Sequence, residues 1–139
     1  MKSKLDKLMV QIKTATGTYN PFLIADRLDI EIHWKNIYPR PFGETFYYDN
    51  QPIIMLSNQI KDSNERYFVL AHELGHVIEH KGLAAYYTSN HRFHNKTEDE
   101  ANRFALALLT NLYVEENEKL PDSYNDLSHM YGFPSWYEG

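Results

Sequence analysis

The sequence predicts a small α+β domain, 1–139, with a three-stranded, mostly antiparallel sheet and flanking helices. Three observations support this class. The 139 residues fit one domain at roughly 150 residues per domain, and 42% of them are apolar, which suffices for a core. Helical periodicity marks both ends of the chain. Alternating apolar and polar residues mark strands only between these ends, so helices must pack on one short sheet.

Two helices are predicted before the first strand. The first has apolar residues at spacing i, i+3, i+4 and i+7, namely Leu5, Leu8, Met9 and Ile12. It is expected to end near Thr16-Gly17, because glycine commonly follows the last helical residue. Asn20 before Pro21 is typical of an N-cap followed by proline at the first helical position. A second, short helix therefore starts there and runs to about Leu28.

Three strands are predicted next. Alternation over Asp29 to Trp34 predicts a strand with one wet face. Thr45 to Tyr48 and Ile53 to Ser57 flank the turn-forming residues 49–52, which predicts an antiparallel hairpin. Between the first strand and this hairpin, prolines and a glycine predict a loop.

Helical patterns return in the second half of the chain. One helix is predicted over residues 63–80, with Asp62 or Ser63 as its N-cap, and the stretch from Gly82 to Lys96 is expected to be mostly loop. A long helix follows over residues 97–113, with capping-box spacing between its first residue and the glutamate three positions later. The last helix is predicted from Pro121 to Tyr131, before Gly132.

Composition excludes several functional classes. The chain has 14 basic and 19 acidic residues, a formal charge of −5, and no run of five basic residues, so direct nucleic-acid binding is not expected. It has no cysteine, which excludes disulfides, thiolate metal sites and thiol nucleophiles. No apolar run approaches the ~20 residues of a membrane helix, and no signal peptide is evident. We therefore expect a cytoplasmic protein with no membrane partner.

His72-Glu73-Leu74-Gly75-His76 is the strongest motif in the chain. Two histidines at i and i+4 lie about 40° apart around a helix and about 6 Å apart along it, so both rings can reach one metal ion. Glu73 lies about 100° from His72, where it can hold a metal-bound water without being a ligand. The motif predicts a metal site with His72 and His76 as ligands and Glu73 as the catalytic residue.

A catalytic zinc site takes a third protein ligand. The candidates are His80, His91, His94, Glu98, Asp99 and Glu100. On a helical wheel, Glu98 lies within about 40° of the centre of its helix's apolar stripe, whereas Asp99 and Glu100 point well over 100° away. An inward carboxylate without a partner would be costly, so a metal best explains Glu98.

The other candidates have simpler interpretations. Glu100 fits the glutamate of the capping box. His80 continues the row of histidines but lies too far along the helix axis to be a third ligand, so it is expected to be a polar neighbour of the site or a surface residue. Asn102, one turn after Glu98, can hydrogen-bond a ligand imidazole and orient it without itself binding the metal. His91 and His94 fall in the predicted loop and remain weaker ligand candidates.

These residues resemble the ImmA/IrrE family of zinc metallo-endopeptidases, which are gluzincin-like enzymes with HExxH and a downstream glutamate. The matching segments are Phe68 to His76 with His80, then Glu98 to Ala105 and Leu108-Leu109, with weaker similarity at Pro21 to Ile30 and Tyr124 to Pro134. The resemblance implies a zincin-like fold and Zn²⁺ held by His72, His76 and Glu98, with Glu73 as general base on zinc-bound water.

The resemblance also implies a partner. Members of the family typically cleave a helix-turn-helix transcriptional repressor, as anti-repressor proteases of mobile elements, such as phages, or of stress responses. The alternatives are a non-cleaving zinc-binding anti-repressor that sequesters its partner, and a metal-free domain with surface histidines. The substrate is expected to add as a strand along the edge formed by Pro52 to Ser57. Candidate oxyanion donors are Tyr47, Tyr48, Tyr86, Tyr87, His91, His94 and Tyr113.

Overall fold

A computed structural model describes residues 2–80 and 91–134, and within the second range side chains from residue 96 onward. Its helices are α1 (Lys4–Thr16), α2 (Pro21–Arg27), α3 (Glu65–Glu79), α4 (His91–Asn117) and α5 (Tyr124–Tyr131). Its strands are β1 (Glu31–Lys35), β2 (Gly43–Tyr48) and β3 (Gln51–Ser57), followed by a single 3₁₀ turn (Asn58–Ile60). The predicted α+β class is confirmed.

The helix ends before the sheet follow the local sequence signals. Ser3 and Asp6 form a capping box at the start of α1, and Gly17 closes that helix in the left-handed conformation with φ 78°. Asn20 Oδ1 accepts from the Phe22 N–H at 2.9 Å, so the predicted N-cap of α2 is present. These caps fix where α1 begins and ends and where α2 begins.

The sheet order is β1-β3-β2, with β1 and β3 parallel and β2 and β3 antiparallel. The expectation of a mostly antiparallel sheet is therefore met by only one of the two pairings. In the predicted hairpin, Asp49 and Asn50 form a two-residue turn with φ 51° and 64°. The hairpin reverses the chain direction, so that β3 runs parallel to β1 and lies between β1 and β2.

The expectation that β3 is an exposed edge strand is wrong. β3 occupies the centre of the sheet, where Ile54 and Leu56 are fully buried, and the two edges are β1 and β2. The physical reason is composition, because β3 is the most apolar of the strands and a central position buries the most surface. An added strand therefore has to pair with β1 or β2.

α3 packs most extensively against α4, and Gly75 lies at their point of closest approach. A methyl group at Gly75 would lie 3.1 Å from Phe104 Cβ and 3.2 Å from Ala101 Cα, both of which belong to fully buried residues. The predicted apolar stripe of α4 faces this contact and is buried: Ala101, Phe104, Ala105, Leu108, Leu109 and Leu112. The close crossing brings α4 alongside the histidine-bearing face of α3.

The start of α4 differs from the prediction. The helix begins at His91, so Thr97 is an interior residue that is only 1% exposed, and the predicted capping box between Thr97 and Glu100 does not exist. Residues 91–96 contain neither glycine nor proline, so nothing in their sequence stops the helix from starting earlier. Of the predicted loop, residues 82–90 lie outside the described residues, and residues 91–96 are helical instead. Within the described ranges, no helix is both long and apolar enough to cross a membrane.

Candidate metal centre

Three side chains from α3 and α4 converge on one point. Glu98 Oε2 lies 2.8 Å from His72 Nε2, and Glu98 Oε1 lies 3.1 Å from His76 Nε2. The two Nε2 atoms are themselves 3.1 Å apart. One donor atom from each residue lies within 4.8 Å of the other two, so the group can hold a metal ion. The helical-wheel argument that singled out Glu98 agrees with this geometry.

The chemistry and spacing of the donors fit zinc. Imidazole nitrogens and a carboxylate oxygen are zinc ligands, and two ligand atoms about 2.1 Å from a tetrahedral zinc ion lie roughly 3.4 Å apart. The observed separations of 2.8 to 3.1 Å need to widen only slightly to reach that value. Three protein ligands leave one tetrahedral position open, which is the arrangement of catalytic rather than structural zinc sites.

Asn102 orients one of the two imidazoles. Its Oδ1 lies 2.7 Å from His72 Nδ1 and can only accept, so His72 Nδ1 donates the hydrogen bond. When the ring is neutral, as a metal ligand has to be, its lone pair is therefore on Nε2, the atom that faces Glu98 and His76. The predicted contact of Asn102 with a ligand imidazole is therefore present in the structure.

His80 lies beside the group of three rather than within it. Its Nδ1 is 3.3 Å from His76 Nδ1, and its Nε2 is 3.3 Å from Glu100 Oε1. Burial lowers the pKa of His80, and the neighbouring His76 lowers it further. The contact between Glu100 and His80 was not predicted from the sequence, because the spacing of Glu100 from Thr97 suggested a cap instead.

The charges and hydrogen bonds around His72, His76 and Glu98 favour a cation between these three residues. Burial opposes protonation of His72, but the hydrogen bond to Glu98 and the charges of Glu73 and Glu98 outweigh burial and raise its pKa. Burial also opposes ionisation of Glu98, yet hydrogen bonds from His72 and His76 hold its pKa well below the usual range. A carboxylate that stays ionised beside two imidazoles suits a cation site.

Glu73 lies next to the three donors His72, His76 and Glu98, and it contacts the sheet at β2. It is 7% exposed, and its Oε1 accepts a 2.7 Å hydrogen bond from the Thr45 hydroxyl of β2. Burial raises the pKa of Glu73, an effect that His72, His76 and the Thr45 hydrogen bond partly offset. The carboxylate is thus held at the junction of α3 and the sheet edge, with a higher affinity for a proton than an exposed glutamate.

The remaining candidates fall into three groups. Asp99 pairs with Arg103 on the exposed side of α4, away from the donors. Among the oxyanion candidates, Tyr48 is 77% exposed and Tyr113 is 8% exposed, while Tyr47 is half-buried. Tyr86 and Tyr87 lie outside the described residues, as do the side chains of His91 and His94. No oxyanion donor is therefore singled out.

Known proteins are similar to this chain over most of its length. The chain is 29% identical to "Uncharacterized immunity region protein 2" of Bacillus phage phi105 over 139 residues, which covers 97% of this chain and 84% of the phage protein. Residues 25–132 match the IrrE N-terminal-like domain, Peptidase_M78, and this range includes every donor described above. The chain therefore belongs to the IrrE N-terminal-like domain family, whose members are of the metallopeptidase type.

Proposed function

We propose that the protein is a zinc-dependent endopeptidase that hydrolyses a peptide bond in a protein partner, a helix-turn-helix transcriptional repressor. The observation that carries this proposal is the position of Glu73. It is buried beside the converging donors His72, His76 and Glu98, and it is not one of them. A purely structural metal site has no use for such a carboxylate, whereas a hydrolase needs a base.

His72, His76 and Glu98 would hold the zinc ion. The ion supplies Lewis acidity, which makes water nucleophilic near neutral pH and polarises a carbonyl group. His72 presents Nε2 because Asn102 accepts from its other ring nitrogen. Glu98 offers both carboxylate oxygens to the two histidines, so a modest shift of its side chain lets it serve as the third ligand.

Glu73 would act as the general base and then as the general acid. It takes a proton from the attacking water at a carboxylate oxygen and passes that proton to the nitrogen of the leaving amine. Its raised pKa suits both steps, because a base with a pKa nearer the working pH also gives the proton up as an acid. The Thr45 hydrogen bond leaves Oε2 of Glu73 as the oxygen for this transfer.

The substrate would add as a strand to β2, which replaces the β3 edge expected from sequence. The Ser57 N–H bonds to the Phe42 carbonyl, so alternate residues from 42 onward bond to β3. The backbone groups of Gly43, Thr45 and Tyr47 then point to the outer edge. Thr45 contacts Glu73, so a peptide on this edge would pass beside the base.

A repressor partner agrees with the phage relative, whose name places that protein in an immunity region. The present chain carries a charge of −5 and has no basic stripe, which supports action on a protein rather than direct action on DNA. The proposal includes a single domain over 1–139 and a cytoplasmic location, where a repressor would be met. Recognition of backbone at β2 is nearly independent of sequence, so specificity would come from docking elsewhere.

The test is cleavage of a purified helix-turn-helix repressor from the organism or mobile element that carries this gene. We expect zinc-dependent fragments whose ends, read by mass spectrometry, are the same in every preparation. Chelation should stop cleavage and added zinc should restore it. Glu73→Gln should bind zinc and the repressor but leave the repressor intact. Relief of DNA binding at one protein per repressor, with no fragments, would overturn the peptidase and support a sequestering anti-repressor.

A further inference from the structure

We propose that His80 and Glu100 form a positioning pair that fixes the tautomer of His76, so that its Nε2 presents a lone pair to the metal. This inference rests on the proposed zinc site and adds two residues to it. The contacts form a chain across the two helices, in which Glu100 Oε1 lies 3.3 Å from His80 Nε2 and His80 Nδ1 lies 3.3 Å from His76 Nδ1.

The direction of each hydrogen bond follows from Glu100. An ionised carboxylate can only accept, so His80 Nε2 must donate to it. In a neutral imidazole the other nitrogen then carries the lone pair, so His80 Nδ1 accepts. When His76 is a neutral metal ligand, its Nδ1 has to be the donor in the Nδ1–Nδ1 contact, and its Nε2 carries the lone pair. That atom faces Glu98 and His72.

The two ligand histidines are therefore oriented by different devices. His72 donates a hydrogen bond directly to the amide oxygen of Asn102. His76 donates to the imidazole of His80, which in turn donates to the carboxylate of Glu100. A carboxylate behind a ligand imidazole raises the basicity of the ring, and loss of such outer contacts typically weakens metal binding about 10- to 100-fold. We expect the pair to strengthen zinc binding by a similar factor.

Burial supports a specific role for His80. The residue is 7% exposed, and a buried imidazole has to be satisfied by defined partners. Both of its ring nitrogens have one, which leaves neither for the metal. His80, the C-cap of α3, thus extends the row of His72 and His76 as a partner of a ligand.

The first test measures the zinc dissociation constant by competition with a chromogenic chelator. His80→Leu should bind zinc about 10- to 100-fold more weakly than the wild type. His80→Asn should stay within a few-fold of the wild type, because its Oδ1 lies near the position of the ring Nδ1 and can accept from His76. The control is His33→Leu, which removes an exposed histidine with an equal 3.3 Å contact to Glu31 and should change nothing.

A double-mutant cycle tests the role of Glu100. If Glu100 acts only through His80, then Glu100→Leu weakens zinc binding in the wild type but has no further effect in the His80→Leu background. Losses that simply add would show that Glu100 acts on the metal directly, and would overturn the pair. Glu100→Gln retains an acceptor and should lose less than Glu100→Leu.

Nitrogen NMR of zinc-loaded, ¹⁵N-histidine-labelled wild-type protein tests the tautomers without any substitution. We expect His80 to be protonated on Nε2 and not on Nδ1, and a scalar coupling between His80 Nδ1 and His76 Nδ1 across their hydrogen bond. A proton on His80 Nδ1 would overturn the inference. Wild-type zinc binding with an unaffected His80→Leu would overturn it and leave the proposed function standing, whereas failure of the wild type to bind zinc would overturn both.

Discussion

The Thr45 hydroxyl on β2 donates a 2.7 Å hydrogen bond to Oε1 of Glu73 on α3. This contact joins the open edge of the sheet to the proposed general base. It favours the ionised carboxylate and so partly offsets the burial that raises the pKa of Glu73. β2, the strand proposed to bind the substrate, therefore also adjusts the pKa of Glu73, the residue proposed to act on that substrate.

Removing this hydroxyl should change the pH dependence of cleavage. In Thr45→Val the ionised form of Glu73 loses a donor, so the pKa of Glu73 rises further. Because the base must be deprotonated in the free enzyme, the acidic limb of the kcat/KM profile should move to higher pH. Thr45→Ser keeps the hydroxyl and should keep the wild-type profile. An acidic limb that stays in place in Thr45→Val would contradict this role.

Glu73→Gln should separate metal binding from catalysis. Its amide oxygen still accepts from Thr45, so the local fold is preserved, but an amide cannot take the proton. We expect a fall in kcat of about 10²- to 10⁴-fold, the usual contribution of general base catalysis. Zinc content, measured by elemental analysis, should stay near that of the wild type. Cleavage at the wild-type rate would rule out Glu73 as the base.

Glu98→Ala should lose the metal and the stability that the metal confers. An ion that binds only the folded state stabilises it by about 2.7 kcal/mol when free zinc is 100 times Kd. The wild-type melting temperature should therefore rise with zinc and fall with a chelator, and Glu98→Ala should respond to neither. Asp99→Ala is the matched control, since Asp99 pairs with Arg103 on the exposed side of the same helix. An equal zinc content in Glu98→Ala would refute the ligand assignment.

Gly75→Ala should be destabilising although alanine is the better helix former. Helix propensity alone would favour alanine by up to about 1 kcal/mol. The added methyl group, however, would lie 3.1 Å from Phe104 Cβ and 3.2 Å from the backbone of Ala101, so α3 and α4 would have to separate. We expect a net loss of about 1–3 kcal/mol in unfolding free energy and weaker zinc binding. Urea unfolding measures the first effect, and a net gain would show that the helices separate without cost.

Glu115 should make stability depend on pH. It accepts from Lys13 Nζ at 2.7 Å, from the Thr18 hydroxyl at 2.9 Å and from the Tyr19 N–H at 3.1 Å. Burial opposes ionisation, but these three donors outweigh it and lower the pKa of Glu115. A lowered pKa stabilises the fold above the unfolded-state value of 4.5, and this contribution disappears as the pH falls through the folded-state value.

The matching variant is Glu115→Gln. At pH 7, in the presence of a chelator, it should lower the unfolding free energy by up to about 1 kcal/mol, because solvent screens an ion pair at this exposed position. The difference from the wild type should shrink as the pH falls below 4.5. Lys13→Met should cost less than Glu115→Gln, because the donors at Thr18 and Tyr19 remain. A difference that does not vary with pH would contradict the assignment.

The parts of the site that one helix defines could be predicted from sequence. The spacing of His72 and His76 places both rings on one side of a helix whatever the rest of the fold does. The position of Glu98 relative to its apolar stripe then gave the third donor, because a stripe fixes which way a helix faces. Both results depend only on helical geometry and burial.

Relationships between distant elements could not be predicted in this way. Periodicity shows which face of a strand is buried but not which strands are neighbours, so the central position of β3 was missed. The contact between His80 and Glu100 joins residues 20 positions apart and depends on the crossing of α3 and α4. The capping-box pattern at Thr97 was equally compatible with a helix interior, since residues 91–96 carry no signal that stops a helix.

The separation of the donors along the chain has a consequence for the order of assembly. His72 and His76 come together as soon as one turn of α3 forms, whereas Glu98 lies 22 residues beyond His76 and arrives only when α4 docks. A nascent chain with α3 formed already offers two imidazoles in chelating geometry. Zinc bound at that stage would attract Glu98 and so favour the docking of α4 on α3. The supply of zinc during synthesis would then influence how fast the chain folds as well as how active it becomes.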